Sequence, residues 1–152
     1  MRLTRHTDYA LRVLMYAAAR NDRLVTITEV ANAFGISRNH LVKVVNNLGH
    51  QGCLETVRGK GGGIRLSKAP GAISVGKVVR TMEEHLDIID CTGSECPILV
   101  PCKLRTALGE ARDAFMQVLD GYTLADLVAN QADILAALDG FRAAEHEAPA
   151  EA

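Results

Sequence analysis

Hydrophobic residues recur at helical spacing in three segments of the N-terminal half. Residues 4–20 contain no helix breaker and are mostly apolar after Tyr9, which predicts a helix buried on more than one side. Residues 26–29 fit a capping box, and the apolar positions that follow predict a second helix ending at Gly35. Ser37, a good N-cap residue, opens a third helix with the same spacing. Two short helices around a tight turn containing glycine predict a helix-turn-helix.

A glycine-rich turn separates two short apolar segments after the third helix. Residues 55–57 and 64–66 predict two strands around the turn Arg58-Gly59-Lys60-Gly61-Gly62-Gly63, and a hairpin in this position is a wing. The turn lacks the G-x-x-x-x-G-K-[ST] pattern and precedes a strand instead of a helix, so a nucleotide-binding loop is not expected.

The C-terminal half is predicted to be helical on both sides of a cysteine-containing loop. Residues 73–84 form an amphipathic pattern with Ser74 as N-cap. Residues 102–119 keep helical spacing over about five turns, which is longer than the small N-terminal domain needs for its own core and is typical of a dimerisation helix. From residue 143 onward, Ala, Glu and Pro without periodicity predict a flexible acidic tail.

The predicted fold class is therefore mainly α with a small β wing. Residues 1–70 form a winged helix-turn-helix DNA-binding domain, and residues 71–130 contain the connecting helix, the cysteine loop at 91–102 and the long dimerisation helix. Residues 131–152 form a C-terminal helix and the acidic tail.

Composition and charge add a partner to this picture. The chain has 152 residues, 48% hydrophobic and 23% charged, which is ordinary for a globular protein. Without an apolar run of about 18 residues or a signal-like N-terminus, we expect a cytoplasmic protein with no membrane partner. Residues 1–70 contain 11 basic and 4 acidic residues, a net charge of +7, whereas residues 71–152 carry −8. A basic half of this kind favours binding to a polyanion.

The third helix and the wing supply the side chains expected to contact double-stranded DNA. Arginine and lysine donate to guanine, asparagine pairs with adenine, and the first turns of a recognition helix lie nearest the base edges. Wing glycines allow close approach to the backbone of DNA, where basic side chains supply charge. The predicted DNA-binding residues are Ser37, Arg38, Asn39, His40, Lys43, Arg58, Gly59, Lys60 and Gly61.

Three of the four cysteines lie within twelve residues. Cys91, Cys96 and Cys102 have the spacing C-x4-C-x5-C, with Gly and Pro bending the chain between them, and three thiolates can converge on a soft metal centre. No fourth cysteine or adjacent histidine completes a zinc site in this loop, which favours an iron–sulfur cluster with one unusual ligand. Zinc and a thiol redox switch remain alternatives. Cys53 has core-like neighbours and is expected to be buried.

Together these motifs resemble one family, the dimeric winged-helix regulators that carry an iron–sulfur cluster, and in particular its nitric-oxide-sensing members. The resemblance runs from residue 1 to about residue 129. It rests on the three cysteines, on the wing Val57-Arg58-Gly59-Lys60-Gly61-Gly62-Gly63-Ile64-Arg65-Leu66, and on Thr7-Asp8-Tyr9-Ala10-Leu11-Arg12, Ser37-Arg38-Asn39-His40-Leu41-Val42-Lys43 and Tyr122-Thr123-Leu124-Ala125-Asp126-Leu127.

The resemblance implies a homodimer that binds a palindromic operator as a transcriptional repressor. It implies one [4Fe-4S] or [2Fe-2S] cluster per chain, held by Cys91, Cys96 and Cys102 with Asp8 of the partner subunit as fourth ligand, and nitric oxide as the effector that lowers DNA affinity. The local interpretation of Asp8 is an ion pair with Arg12 one helical turn away. A regulator of iron or cluster status and, in another class, an iron–sulfur redox protein are the alternative functions; no substrate-binding motif indicates an enzyme.

Overall fold

Short helices and one hairpin make up the N-terminal half of the chain, and helices make up the rest. The computed structural model describes residues 2–91 and 96–147, with side chains described as far as residue 140. In chain order the elements are α1 (Arg5–Ala19), α2 (Ile27–Phe34), α3 (Arg38–His50), β1 (Leu54–Val57), β2 (Gly63–Leu66), a 3-10 turn (Pro70–Ala72), α4 (Val75–Met82), α5 (Lys103–Asp120), α6 (Leu124–Leu127) and α7 (Gln131–Glu147).

The helix-turn-helix is bounded by the caps that the sequence predicted. The Thr26 hydroxyl accepts the backbone N–H of Glu29 at 3.1 Å, and the Glu29 carboxylate accepts the backbone N–H of Thr26 at 2.7 Å. Burial raises the pKa of Glu29, but hydrogen bonds from Arg23 and Thr26 outweigh it and hold that pKa below its ordinary value. Gly35 ends α2 in the left-handed conformation, at φ 60°, where glycine carries no steric penalty.

Helices α3 and α4 differ in detail from their predictions. Ser37 is the N-cap residue of α3, yet its side chain makes no capping hydrogen bond. Ser74 does cap α4, accepting the backbone N–H of Lys77 at 3.3 Å, but this helix covers Val75–Met82 and is shorter than the predicted range 73–84. The chain leaves the helix at Glu83, which is extended and whose carboxylate contacts α1.

Helix α1 lies at the centre of the hydrophobic core. Val13 and Leu14 are completely buried, as the predicted apolar pattern requires, and α1 packs against α3, α4, α6, α7 and β2. The inner face of α3 contributes Leu41, Val44 and Leu48 to the same core. The orientation of α3 is therefore fixed by the helix that also contacts the C-terminal elements.

The wing is a two-stranded antiparallel hairpin in which Leu54 pairs with Leu66 and Val57 with Gly63. Its base is joined to the residue before α2, because Val25 donates to the carbonyl of Ile64 at 3.0 Å and accepts from its N–H at 2.7 Å. A Cβ on Gly63 would lie 2.6 Å from the Val25 carbonyl oxygen, so glycine permits this close approach.

The C-terminal helices pack back onto the N-terminal ones. Leu138 of α7 is buried in the core, Arg20 forms an ion pair with Asp139 at 2.7 Å, and the Gln131 side chain donates to the carbonyl of Ala19. Helix α7 extends to Glu147, into the segment predicted to be flexible, and the remainder of the predicted tail, residues 148–152, lies outside the described residues. In the described ranges, none of the helices is long and apolar enough to cross a membrane.

Candidate functional site

Helix α3 presents a polar face to solvent opposite its buried face. The residues predicted to contact DNA from this helix are all exposed: Ser37, Arg38, Asn39, His40 and Lys43. They occupy the N-terminal half of the helix, which is the part of a recognition helix that lies nearest the base edges in a major groove. Arginine, asparagine and lysine here can donate to base edges and phosphates, so this face has the chemistry of a DNA-binding surface.

The turn of the wing carries two further cations that were predicted to contact DNA. Arg58 and Lys60 are exposed, and within the described ranges no carboxylate forms an ion pair with either of them. Between and beyond them, Gly59 and Gly61 adopt φ values of 99° and 79°, a region that favours glycine. The turn therefore offers charge and accessible backbone with little side-chain bulk, as an approach to the DNA backbone requires.

The first turns of α1 contact the recognition helix, and these contacts were not predicted from the sequence. The His6 ring nitrogen Nε2 lies 3.2 Å from the Asn47 side-chain nitrogen, and the ring centroids of Tyr9 and His40 are 6.3 Å apart. Both pairs join residues more than thirty positions apart in the chain. Hydrophobic periodicity and motif spacing report on near neighbours, so no signal in the sequence marks such pairs.

All four cysteines lie in the part of the chain that the structure describes, and none forms a disulfide. Cys53 is half-buried against the core, and burial raises the pKa of its thiol. Cys91 and Cys102 are half-buried and Cys96 is exposed. Cys102 is the N-cap residue of α5, and its Sγ accepts the backbone N–H of Arg105 at 3.4 Å. A helix N-terminus stabilises a thiolate, so this position suits a metal ligand.

Cys91 and Cys102 line two cavities on either side of the first turns of α5. Cys91 lies in a cavity of about 210 Å³ with Ile88, Ile89 and Leu108 in its wall. Cys102 lines a second of about 330 Å³, and both cavities share Arg105. Among residues 2–91 and 96–147, no three His, Cys, Asp or Glu side chains form a metal-ligating group. The donor set nevertheless fits an iron–sulfur cluster, because three thiols outside any disulfide lie on one short segment and one of them already caps a helix.

Asp8 lies on α1 and forms the local ion pair that the sequence allowed. Arg12 Nε donates to the two carboxylate oxygens at 3.0 and 3.1 Å, and the Arg12 guanidinium lies 5.6 Å from the centroid of the Phe34 ring. The Asp8 side chain remains 46% exposed. Its carboxylate is thus accessible from outside the chain, and ligation of a metal in a partner subunit stays a prediction.

Helix α5 carries an apolar face that the rest of the described chain leaves exposed. Leu104 is 60% and Val118 61% exposed, and Phe115 between them is 37% exposed. These residues belong to the stripe that predicted a dimerisation helix, and only Met116 of α5 is buried. An apolar surface of this length is typical of a protein–protein interface.

The winged helix-turn-helix with an exposed basic recognition helix defines the class of DNA-binding transcriptional regulators. The chain belongs to the Rrf2 family: the family model, described as an iron-dependent transcriptional regulator, matches residues 3–130. The resemblance stated from the sequence motifs is thereby confirmed.

Individual relatives agree with this assignment. The chain is 49% identical over 138 residues to the HTH-type transcriptional regulator NsrR of Geobacillus kaustophilus, covering 88% of this chain and 94% of that protein. It is 47% identical over 139 residues to NsrR of Bacillus subtilis, covering 89% and 95%. Among solved structures, CymR, the global cysteine regulator of B. subtilis, is similar with a TM-score of 0.71 and 25% identity over 86% of this chain and 98% of CymR. T. potens IscR shares the fold at a TM-score of 0.69 and 21% identity, covering 86% and 88%. The names of the NsrR proteins and of CymR describe regulators.

Proposed function

We propose that the chain is a homodimeric repressor that binds a palindromic operator and releases it when nitric oxide reacts with an iron–sulfur cluster. Each chain holds one cluster, [4Fe-4S] or [2Fe-2S], through Cys91, Cys96 and Cys102, with Asp8 of the partner subunit as the fourth ligand. The relatives named NsrR support this proposal, since the motifs of this chain resemble those of the nitric-oxide-sensing regulators.

A chain of contacts from the cysteine segment to the recognition helix is the observation that carries the proposal. Glu83 begins the segment that leads to Cys91, and its carboxylate accepts the backbone N–H of Thr4 at 2.7 Å and the Thr4 hydroxyl at 3.1 Å. Thr4 is the N-cap residue of α1, and His6 in the first turn contacts Asn47 of α3 at 3.2 Å. A displacement of the segment between Glu83 and Cys91 that moves Glu83 therefore acts on α3 through α1.

Asp8 adds a second connection through the same helix. A carboxylate is a weak ligand for the soft iron of a cluster, so it leaves one iron accessible to a small effector. When bound, the cluster supplies iron that reacts with nitric oxide. Engagement of Asp8 of the partner subunit fixes α1 of one chain against the cysteine segment of the other, and Arg12 loses its ion pair in exchange.

The apolar face of α5 accounts for the homodimer. Two copies that pair their exposed Leu104, Phe115 and Val118 side chains remove these surfaces from water. A two-fold dimer presents its recognition helices to two half-sites about 34 Å apart, and the operator then has matching two-fold symmetry. A small shift between the subunits disturbs both half-sites at once.

The proposal is tested on full-length protein purified without oxygen. Absorption, iron and sulfide are measured, and nitric oxide is then added stepwise while binding is followed to a duplex selected by this protein from a random pool. We expect a coloured protein that releases the duplex as the cluster is nitrosylated. Cys96→Ala is expected to lose both colour and response, whereas Cys53→Ala, which removes a thiol outside the segment, keeps both. A colourless, zinc-containing protein would contradict the cluster.

A regulator of iron or cluster supply is the second candidate, and the description of the family model as iron-dependent favours it. It requires that protein depleted of iron without nitric oxide loses operator affinity, and that nitric oxide leaves the affinity of the coloured protein unchanged. The same titration separates the two candidates, since only the nitric oxide sensor responds to the gas while iron is plentiful.

A further inference from the structure

Arg105 lies near two of the cysteines that the proposed function assigns to the cluster. Its backbone N–H donates to the Cys102 Sγ at 3.4 Å, in the first turn of α5. Arg105 lines the cavity that contains Cys91 and also the cavity that contains Cys102. It is the one cation of the described residues that borders both cavities.

The charge of Arg105 has no other partner in the described part of the chain. Arg112, the second cation of the Cys91 cavity, forms ion pairs with Asp87 and with Asp113 at 2.5 and 2.8 Å. Arg105 forms no ion pair with a described carboxylate, although Glu110 and Asp113 line one of its cavities. The exposed guanidinium is therefore available to negative charge that appears in either cavity.

We propose that Arg105 is a positioning residue for the metal centre, whose positive charge offsets the negative charge of the ligated cluster and so slows loss of the cluster. This inference rests on the proposed function, because it requires the cysteines to hold a cluster. It adds a fifth residue, outside the ligand set, on which the lifetime of the centre depends.

The argument is electrostatic. Each ligated thiolate brings one negative charge to the centre. The net charge and the hydrogen bonds to the sulfur atoms set the reduction potential of a cluster. A cation beside the centre offsets part of this charge and makes the centre easier to reduce.

The test compares full-length wild-type protein with Arg105→Gln, Arg105→Lys and the matched control Lys103→Gln, each loaded with cluster under anaerobic conditions. Lys103→Gln removes the same charge two residues earlier on α5, from a side chain that lines neither cavity. The rate of iron release to a chelator, the midpoint potential and the ionic-strength dependence of both are measured. Thermal unfolding of the cluster-free proteins shows whether folding is unchanged.

We expect Arg105→Gln to release iron about tenfold faster than wild type, since partners of metal ligands contribute about 10- to 100-fold to metal retention. The midpoint potential of Arg105→Gln shifts to a more negative value. Its differences from wild type in release rate and potential shrink at high salt. Arg105→Lys restores most of the wild-type release rate and potential. Wild-type behaviour of Arg105→Gln, or an equal effect of Lys103→Gln, overturns the inference while the proposed function stands. Wild-type protein that holds no cluster overturns both.

Discussion

Substitution of Gly76 by alanine should destabilise the protein, because a side chain there would run into the end of α5. Gly76 is buried at the second position of α4, and a Cβ there would lie 2.1 Å from Asp120 Oδ1 and 2.9 Å from the Asp120 backbone nitrogen. The side chain of Asp120 can rotate away, but the backbone nitrogen moves only with α5. Rotation also breaks the bidentate pair in which Arg80 donates to Asp120.

The expected loss follows from three contributions. Overpacking in a well-packed contact costs about 1–3 kcal/mol, and the half-exposed Arg80–Asp120 pair contributes about 0.2–1 kcal/mol. The greater helix propensity of alanine returns up to about 1 kcal/mol. The net destabilisation is therefore about 2 kcal/mol, within a range of about 0.2–4 kcal/mol, and for a chain of this size each kcal/mol lowers Tm by about 2–4 °C.

The assay is thermal and urea unfolding followed by circular dichroism at one fixed protein concentration. Gly140→Ala is the matched control: Gly140 lies within α7, and a Cβ there meets no atom of the described residues within 4 Å. The same substitution should therefore raise stability by about 0.5–1 kcal/mol at Gly140 and lower it at Gly76. A Gly76→Ala protein as stable as wild type would refute the close approach of α4 to Asp120.

Three further predictions concern DNA, pH and assembly. Arg38→Ala should weaken operator binding by about 1–3 kcal/mol and relax the preference at one base pair. Lys60→Ala should weaken binding to all duplexes equally and reduce the slope of log binding constant against log salt concentration by about 0.9. Anisotropy titrations at several salt concentrations that give identical slopes for the two variants would contradict the assignment. Glu29→Gln should cost about 0.3–1 kcal/mol of stability at neutral pH, because glutamine can keep the capping hydrogen bond but loses the ion pair with Arg23 and the charge at the helix N-terminus. Because the folded-state pKa of Glu29 is depressed, wild type loses this advantage as the pH falls below 4.5. A difference that stays constant down to about pH 3 would exclude this origin. Val118→Glu should yield monomers in sedimentation velocity, while Gln117→Glu on the adjacent face should remain dimeric, and a dimeric Val118→Glu protein would remove α5 from the interface.

Features that depend on neighbours within one helical turn could be predicted from the sequence. The capping box at Thr26 and Glu29, the end of α2 at Gly35 and the tight turn at Gly59 and Gly61 each follow from the conformations and hydrogen bonds of adjacent residues. The buried and exposed faces of α3 follow from helical periodicity in the same way. The predicted DNA-binding face of α3 could be located from the sequence because it is the outer side of such a pattern.

Features that depend on distant residues could not be predicted. Helix α4 was expected to continue to residue 84, but it stops where the Glu83 carboxylate binds Thr4, 79 positions away in the chain. The ion pair of Arg20 with Asp139 joins α1 to α7 over a separation of 119 residues. Local propensity contains no information on such pairs, so tertiary contacts set these details.

The cysteine centre lies between these two cases. The chemistry of three thiols on one short segment was evident from their spacing, and the sequence correctly predicted the helix that follows them. The relative placement of the three thiols could not be predicted, because the free energy of metal binding determines how the ligands of such a site are arranged. The position of Arg105 beside two of them depends on how the segment packs along α5, which no spacing rule describes.

The backbone bonds between Val25 and Ile64 restrict how this protein can lose affinity for DNA. Because they join the base of the wing to the residue before α2, we expect the wing and the helix-turn-helix to shift together. If the proposed sensing acts between the subunits, it leaves the base preferences of each half-site unchanged and alters the preferred length of the spacer between them. Adding or removing one central base pair of the operator would consequently change the ratio of DNA affinities with and without the signal. Base changes within a half-site would change both affinities by the same factor.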